Sequence, residues 1–315
     1  MQLSKDNGKT DLEEVQRKKL MAGSLKSILS SIRYRESLIF QSPTLTGLVM
    51  FLPDLSFHHI VQALYAGLGS FLVMASIFAV NDWADIDLDS QNTLKRNDTF
   101  VKLGIDRGQM LGLVIALATG GIILFAALSR LHLLTALGAI AFGLAYSVPL
   151  RGLRGKNIPV FSSLLHFGGT LLSFLLGALT FAPADWRGLL VALHPAILIT
   201  AGHLVHEVED YEQDQLAHCQ TNAVRFGRKP VFILASLLFG ISFLLLHWLV
   251  QEGFFPGVIR YISILYLAYL VPAIQSYRSG LTRDSVQHLQ RQYRILFAAI
   301  ILTMLIGSMF NNWEL

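Results

Sequence analysis

Nine stretches long and apolar enough to cross a lipid bilayer dominate this 315-residue chain, at about 38–56, 62–80, 110–128, 131–149, 158–181, 187–206, 230–250, 257–277 and 295–311. Each approaches the roughly 20 residues that a helix needs to traverse a hydrocarbon core about 30 Å thick. Within that core every backbone amide and carbonyl must find its partner inside the protein, which leaves helices or closed barrels as the spanning elements. Stretches of this length predict an all-α, polytopic membrane protein with about nine transmembrane helices in a bundle. Hydrophobic residues make up 53% of the chain and charged residues 15%, against roughly 25% charged in ordinary soluble domains. That balance excludes a disordered or disulfide-built secreted protein. Cys219 is the only cysteine, so no intrachain disulfide and no multi-thiolate metal site is expected.

The first 24 residues are polar and carry Lys5, Asp11, Glu13, Glu14 and the run Arg17, Lys18, Lys19. They lack an apolar segment followed by a small-residue cleavage site and read as a cytosolic tail. Residues 25–315 read as a single transmembrane domain, since Pro and Gly are scattered through the spans and form no linker. Outside the spans, 22 Lys and Arg fall on the side of the tail and only Arg130, Arg187 and Arg260 on the other. The positive-inside rule then places the N-terminus and the loops after even-numbered spans in the cytoplasm, with the cell inner membrane as the expected location. The same asymmetry accounts for the formal charge of +4, so no nucleic-acid partner is expected.

Nine of the 21 Asp and Glu lie in two short clusters: Asp82, Asp85, Asp87 and Asp89, then Glu207, Glu209, Asp210, Glu212 and Asp214. Each cluster begins where an apolar stretch reaches the cytoplasmic face. On a helix Asp85 and Asp89 share a face, as do Asp210 and Asp214, and like charges so spaced repel unless a cation lies between them. Carboxylates beside apolar spans are costly and therefore mark function. Such oxygen ligands suit Mg²⁺, which keeps some of its waters and bridges to substrate phosphates; a diphosphate is the matching ligand. Asn81 is placed to hold an oxygen or a metal-bound water. Arg96, Arg151, Arg154 and Lys156 lie in the same plane to take phosphate charge, arginine by paired hydrogen bonds. The plainer reading, solvated loops, explains single basic residues but not two spaced carboxylate pairs.

The stretch Asn81-Asp82-Trp83-Ala84-Asp85-Ile86-Asp87-Leu88-Asp89 matches N-D-x-x-D-x-x-x-D, and Asp210-Tyr211-Glu212-Gln213-Asp214 matches D-x-x-x-D. Together they resemble the UbiA superfamily of intramembrane prenyltransferases. Tyr146-Ser147-Val148-Pro149 resembles that family's Y-S-x-P segment, and Ala223 to Gly227 the ending of its second motif. The resemblance covers about residues 30–310 and implies a helical bundle around a lipid-open central cavity capped by the acidic loops. It implies Mg²⁺-dependent transfer of a prenyl group from an allylic isoprenyl diphosphate to a small acceptor, with an aromatic or quinone-precursor ring favoured. By residue, it implies a first Mg²⁺-diphosphate site at Asn81, Asp82, Asp85 and Asp89 and a second at Asp210 and Asp214, with Asp87 off the ligand face. Asp85, Asp210 and Tyr146 are the expected catalytic residues. The sequence departs from the pattern where Asn97-Asp98-Thr99 follows Arg96, and at His218 and Gln220, where Gly and Lys are common.

Aromatic faces can steady an allylic cation, and Tyr146 is the best placed, ahead of Trp83 and Tyr211, which also fit an interfacial belt. His166 stands where relatives often carry Asn and is expected to face the cavity. Arg33 and Arg35 precede the first span where the family often binds an acceptor carboxylate; Arg35 is taken as the candidate. His203, His206 and Glu207 suggest a zinc site, but without H-E-x-x-H or cysteines the plainer assignment is polar packing at a helix end. Two rival readings are an intramembrane terpene cyclase, which would need no acceptor, and a transporter, which would carry its ionisable groups near the midplane.

Overall fold

The computed structural model describes residues 30–91, 100–149, 154–183, 185–255, 257–263 and 266–310. Arg96, Arg151 and the tail over 1–24 lie outside them. Regular structure among the described residues is entirely helical: α1 (Tyr34–Ile39), α2 (Ser42–Met50), α3 (Phe57–Gln91), α4 (Arg107–Leu128), α5 (Arg130–Ser147), a 3-10 turn (Gly155–Asn157), α6 (Phe161–Ala178), α7 (Trp186–Glu209), α8 (Tyr211–Leu216), α9 (Asn222–Phe226), α10 (Arg228–Gln251), α11 (Ile259–Ser263), α12 (Tyr266–Arg278) and α13 (Arg283–Phe310).

Seven segments of the described chain are long and apolar enough to cross a membrane: most of α3, then α4, α5, α6, α7, α10 and the stretch Ile259–Arg278. They correspond to the second through eighth predicted spans, and the chain is a multi-pass membrane protein. The first predicted span, 38–56, is carried by two short helices instead. Pro43 enters at the start of α2, where a missing amide proton costs nothing, and α2 ends at Met50. Nine residues rise only about 14 Å at 1.5 Å each. The ninth predicted span, 295–311, lies in the second half of the 28-residue α13.

Helix starts are set by side chains that satisfy orphan amides. The Asp106 carboxylate accepts from the amides of Gly108 and Gln109, both at 2.8 Å, while the Gln109 side chain accepts from the Asp106 amide at 3.0 Å. Ser129 caps α5 through the His132 amide, so a single residue separates α4 from α5, and Asp185 caps α7 through Gly188 at 2.8 Å. Such tight turns make sequential helices antiparallel neighbours. In space α3 packs on α4 and α5; α6 sits between α5 and α7 and also against α2; α10 covers α7; and α13 returns to contact α2, α7 and α12. The most enclosed span is α7, with 72% of its apolar window buried, and the least is α4, with 17%. Leu64, Ile115, Ile123, Leu237 and Leu244 point outward, each more than half exposed, as lipid-facing side chains do.

Small residues bring two of these helices into direct backbone contact. A Cβ at Gly47 would run into the Phe174 carbonyl, and one at Gly177 into the Thr44 carbonyl. The same crossing is pinned by the Thr44 hydroxyl, which donates to the Ser173 carbonyl at 2.8 Å and shares a 2.8 Å hydrogen bond with Ser70 of α3. This is the small-residue packing that membrane helices use where lipid provides no hydrophobic drive for association. Gly177→Val is therefore expected to cost about 1–3 kcal/mol or more by overpacking, read as a lower midpoint of thermal unfolding in detergent. Gly112→Ala, at a glycine with open space beside it, is expected to leave that midpoint unchanged.

Candidate functional site

The helix α3 continues as far as Gln91, beyond its apolar part, so Asn81, Asp82, Asp85 and Asp89 occupy its last turns. Asp85 is the buried one, 6% exposed. Its two oxygens meet the Arg154 guanidinium and the Lys156 ammonium, each at 2.5 Å, and Arg154 also donates to the Ala84 carbonyl at 2.7 Å. Asn81 accepts from the Ser147 hydroxyl at 3.2 Å, at the end of α5. Asp82 faces Arg33 at 3.5 Å, and that guanidinium lies 5.1 Å over the Phe78 ring. Arg35, the sequence candidate, turns away and donates to the Tyr34 hydroxyl at 3.1 Å. Asp87 is exposed and stands 3.9 Å from Arg107. Trp83 donates to the Arg107 carbonyl at 3.1 Å and lies 5.0 Å under its guanidinium, which fixes Trp83 as an anchor between α3 and α4.

The second cluster straddles the break between α7 and α8. Asp210 leaves the helical backbone, yet the Asp214 amide still donates to the Asp210 carbonyl at 2.9 Å, so the four-residue spacing survives as a turn. Arg283 approaches Glu209 at 3.8 Å and Asp210 at 3.9 Å, and Gln287 donates to Glu209 at 2.8 Å. One ligand atom each from His206, Glu209 and Asp210 lies within 4.8 Å of the others, but the guanidinium of Arg283 already answers their charge. Cys219 reports how the clusters meet. Burial pushes its thiol upward, Asp214 and Asp85 act in the same direction, and Lys156 and Arg154 oppose them. Groups of both motifs and of the 154–156 turn thus act on the same thiol.

Beneath them lies a wall that the sequence reading resolved only in part. The rings of His166 and His203 stack with centroids 3.8 Å apart, and Tyr146 meets His166 edge-on at 5.0 Å. His203 Nε2 stands 3.1 Å from Glu207 Oε1, at an angle outside that of a hydrogen bond. His203 thus turns to Glu207 while His206 turns to Glu209 and Asp210, so the three residues of the suspected zinc cluster serve two different neighbourhoods. Glu207 is 5% exposed and is held by the Asn222 side-chain amide at 3.0 Å and the Ala223 amide at 3.3 Å. Asn222 also donates to Ser163 at 3.2 Å and accepts from the Val160 amide at 2.6 Å. Val160 has φ of +67°, a strained conformation for a β-branched residue. Asn222 was missed; its only sequence signal is its place immediately before Ala223, at the head of the small-residue ending.

Asn222→Ala leaves the Glu207 carboxylate and the Val160 amide without this partner. The expected cost is about 1–3 kcal/mol for stranded buried polar groups, and a fall in thermal midpoint of the purified protein measures it.

A family model described as the UbiA prenyltransferase family matches residues 41–301. No curated protein matches the sequence. Among solved structures, a UbiA homologue from Archaeoglobus fulgidus bound to GPP and Mg²⁺ superimposes with a TM-score of 0.68 at 22% identity, over 88% of this chain and 99% of that one. A structure described by the biosynthesis of digeranylgeranylglyceryl phosphate synthase in membranes gives 0.70 at 17% identity, over 90% and 98%. An apo UbiA homologue from Aeropyrum pernix K1 gives 0.69 at 14% identity, over 85% and 98%.

Proposed function

The chain belongs to the UbiA prenyltransferase family, and from that premise we propose that it transfers a prenyl group from an allylic isoprenyl diphosphate to a small aromatic or quinone-precursor ring within the membrane. The observation that carries the reading is Asp85, buried at the end of α3 with its two oxygens against Arg154 and Lys156. Oxygen donors from two helix ends fit a hard divalent cation. Asn81, Asp82, Asp85, Asp89, Asp210 and Asp214 are the residues that hold Mg²⁺ in this reading, in line with the GPP and Mg²⁺ of the Archaeoglobus fulgidus homologue. When bound, Mg²⁺ neutralises charge on the diphosphate. Residues 25–315 form the transmembrane prenyltransferase domain, with the N-terminus and the acidic ends of α3 and α7 on the cytoplasmic side of the cell inner membrane.

The protein's own groups divide the work. Arg154 and Lys156, already turned into the site, bind diphosphate oxygens and stabilise the charge that grows on them as the allylic C–O bond breaks, a preorganised electrostatic contribution. Arg33, seated against Asp82 and Phe78, stands at the same end and is the better partner than Arg35 for an anionic group. Tyr146, half-buried between α5 and α6, presents an aromatic face to the allylic carbon. The apolar bundle keeps water from the cation, so that the acceptor and not solvent is the nucleophile.

Purified protein with GPP, Mg²⁺ and a panel of ring acceptors is expected to release diphosphate and form a prenylated ring. Asp85→Asn and Asp210→Asn are each expected to lower that turnover by about 10²–10³-fold, with elution on size exclusion unchanged. Undiminished turnover in both variants would overturn the metal assignment, and a cyclic hydrocarbon formed without acceptor would turn the assignment to a cyclase.

A further inference from the structure

The group that receives the acceptor's proton is not among the metal-site carboxylates, and the buried wall below them supplies one. His203 and Glu207 lie one helical turn apart on α7, with side chains 7% and 6% exposed. Glu207 is held by Asn222, Ser162 and the Ala223 amide, and its Oε1 lies 3.1 Å from His203 Nε2. Among the described residues His203 Nδ1 makes no hydrogen bond. The His166 ring lies 3.8 Å away and nearly parallel, and Tyr146 closes the other side edge-on to His166. Tyr146 and His166 both keep partial exposure, and Ser147, next to Tyr146, donates to Asn81 of the first acidic cluster. The wall therefore borders the place where diphosphate departs.

Resting on the prenyl-transfer reading above, we propose that His203, seated beside Glu207 and stacked on His166, takes up the proton of the acceptor, and that the acceptor is an uncharged ring bearing a phenolic hydroxyl. In the balanced step, the C1–O bond to diphosphate breaks with its electron pair leaving on oxygen. A ring carbon or the hydroxyl oxygen supplies the pair for the new bond to C1, and the displaced proton passes to Nδ1 of His203. The charged and titratable groups facing His203 are Glu207 on its own helix, His166 from α6 and Tyr146 from α5, with His206 a turn away. This set contains a carboxylate and no arginine or lysine, which disfavours an acceptor with a carboxylate of its own. Arg154 and Lys156 lie at Asp85 and Arg33 at Asp82, on the diphosphate side and not against His203.

The test uses the full chain in detergent with GPP, Mg²⁺ and paired acceptors, uncharged phenols and hydroquinones against the corresponding hydroxybenzoates. His203→Gln keeps a hydrogen-bonding side chain of similar reach but cannot accept a proton. It is expected to lower kcat about 10²–10⁴-fold, the range of general-base catalysis, while Mg²⁺-dependent binding of GPP stays within twofold and the thermal midpoint holds. In His203→Ala, added imidazoles of increasing basicity are expected to restore turnover in order of their basicity, which a cavity-filling effect does not produce. Full kcat in His203→Gln, equal loss of GPP binding, rescue independent of basicity, or preference for hydroxybenzoates would each overturn the proposal while leaving prenyl transfer intact. A wild-type protein that turns over no pairing would overturn both.

Discussion

A carboxylate cannot stand alone between apolar helices: the desolvation of an ion costs several kcal/mol and must be returned by close partners. Much of the acidic end of this bundle follows from that requirement. Asp85, buried at the end of α3, draws in Arg154 and Lys156, which flank and form part of the 3-10 turn at Gly155–Asn157. Glu207, buried one turn before the end of α7, is answered differently, by the neutral amide of Asn222, the Ala223 backbone and the imidazole of His203. Between them these two carboxylates draw together the 154–156 turn, α6, α7 and α9, with arginine and lysine at Asp85 and amides, a hydroxyl and a histidine at Glu207.

That division separates a carboxylate lined by arginine and lysine from one lined by amides and a histidine. In the proposed reaction Arg154 and Lys156 meet leaving-group charge, whereas the nucleophile meets the rings of Tyr146, His166 and His203. An enzyme that must first separate charge and then quench a cation gains from keeping the two environments distinct, because a cation near the allylic carbon would oppose ionisation there.

The all-helical class, the second through eighth spans and the two acidic clusters were legible in the sequence, because hydropathy runs and helical spacing are local properties. The first span was not, since Pro43 and the break after Met50 replace one crossing helix with α1 and α2, and an apolar window does not register a turn inside it. Spacing could show that Asp85 and Asp89 share a face, but not that Arg154 and Lys156 would pair with Asp85. It ranked Arg35 ahead of Arg33, although the left-handed backbone of Arg33 at the start of α1 turns that side chain toward Asp82. Asn222 and the stacking of His166 on His203 depend on loops returning to helices distant in sequence, a tertiary fact with no local signature.

The bare contact between Gly47 and Gly177 bears on the mechanics of the bundle. Side chains between helices act as a compliant layer that absorbs small sliding motions by changing rotamer. At the α2–α6 crossing that layer is missing, and the hydroxyl of Thr44 bolts the two backbones together. Displacement of α2 at the lipid boundary is therefore passed directly into α6, in which His166 sits about two turns from Ser173. The stiffness of the surrounding bilayer thus becomes part of the tolerance to which the inner wall is held.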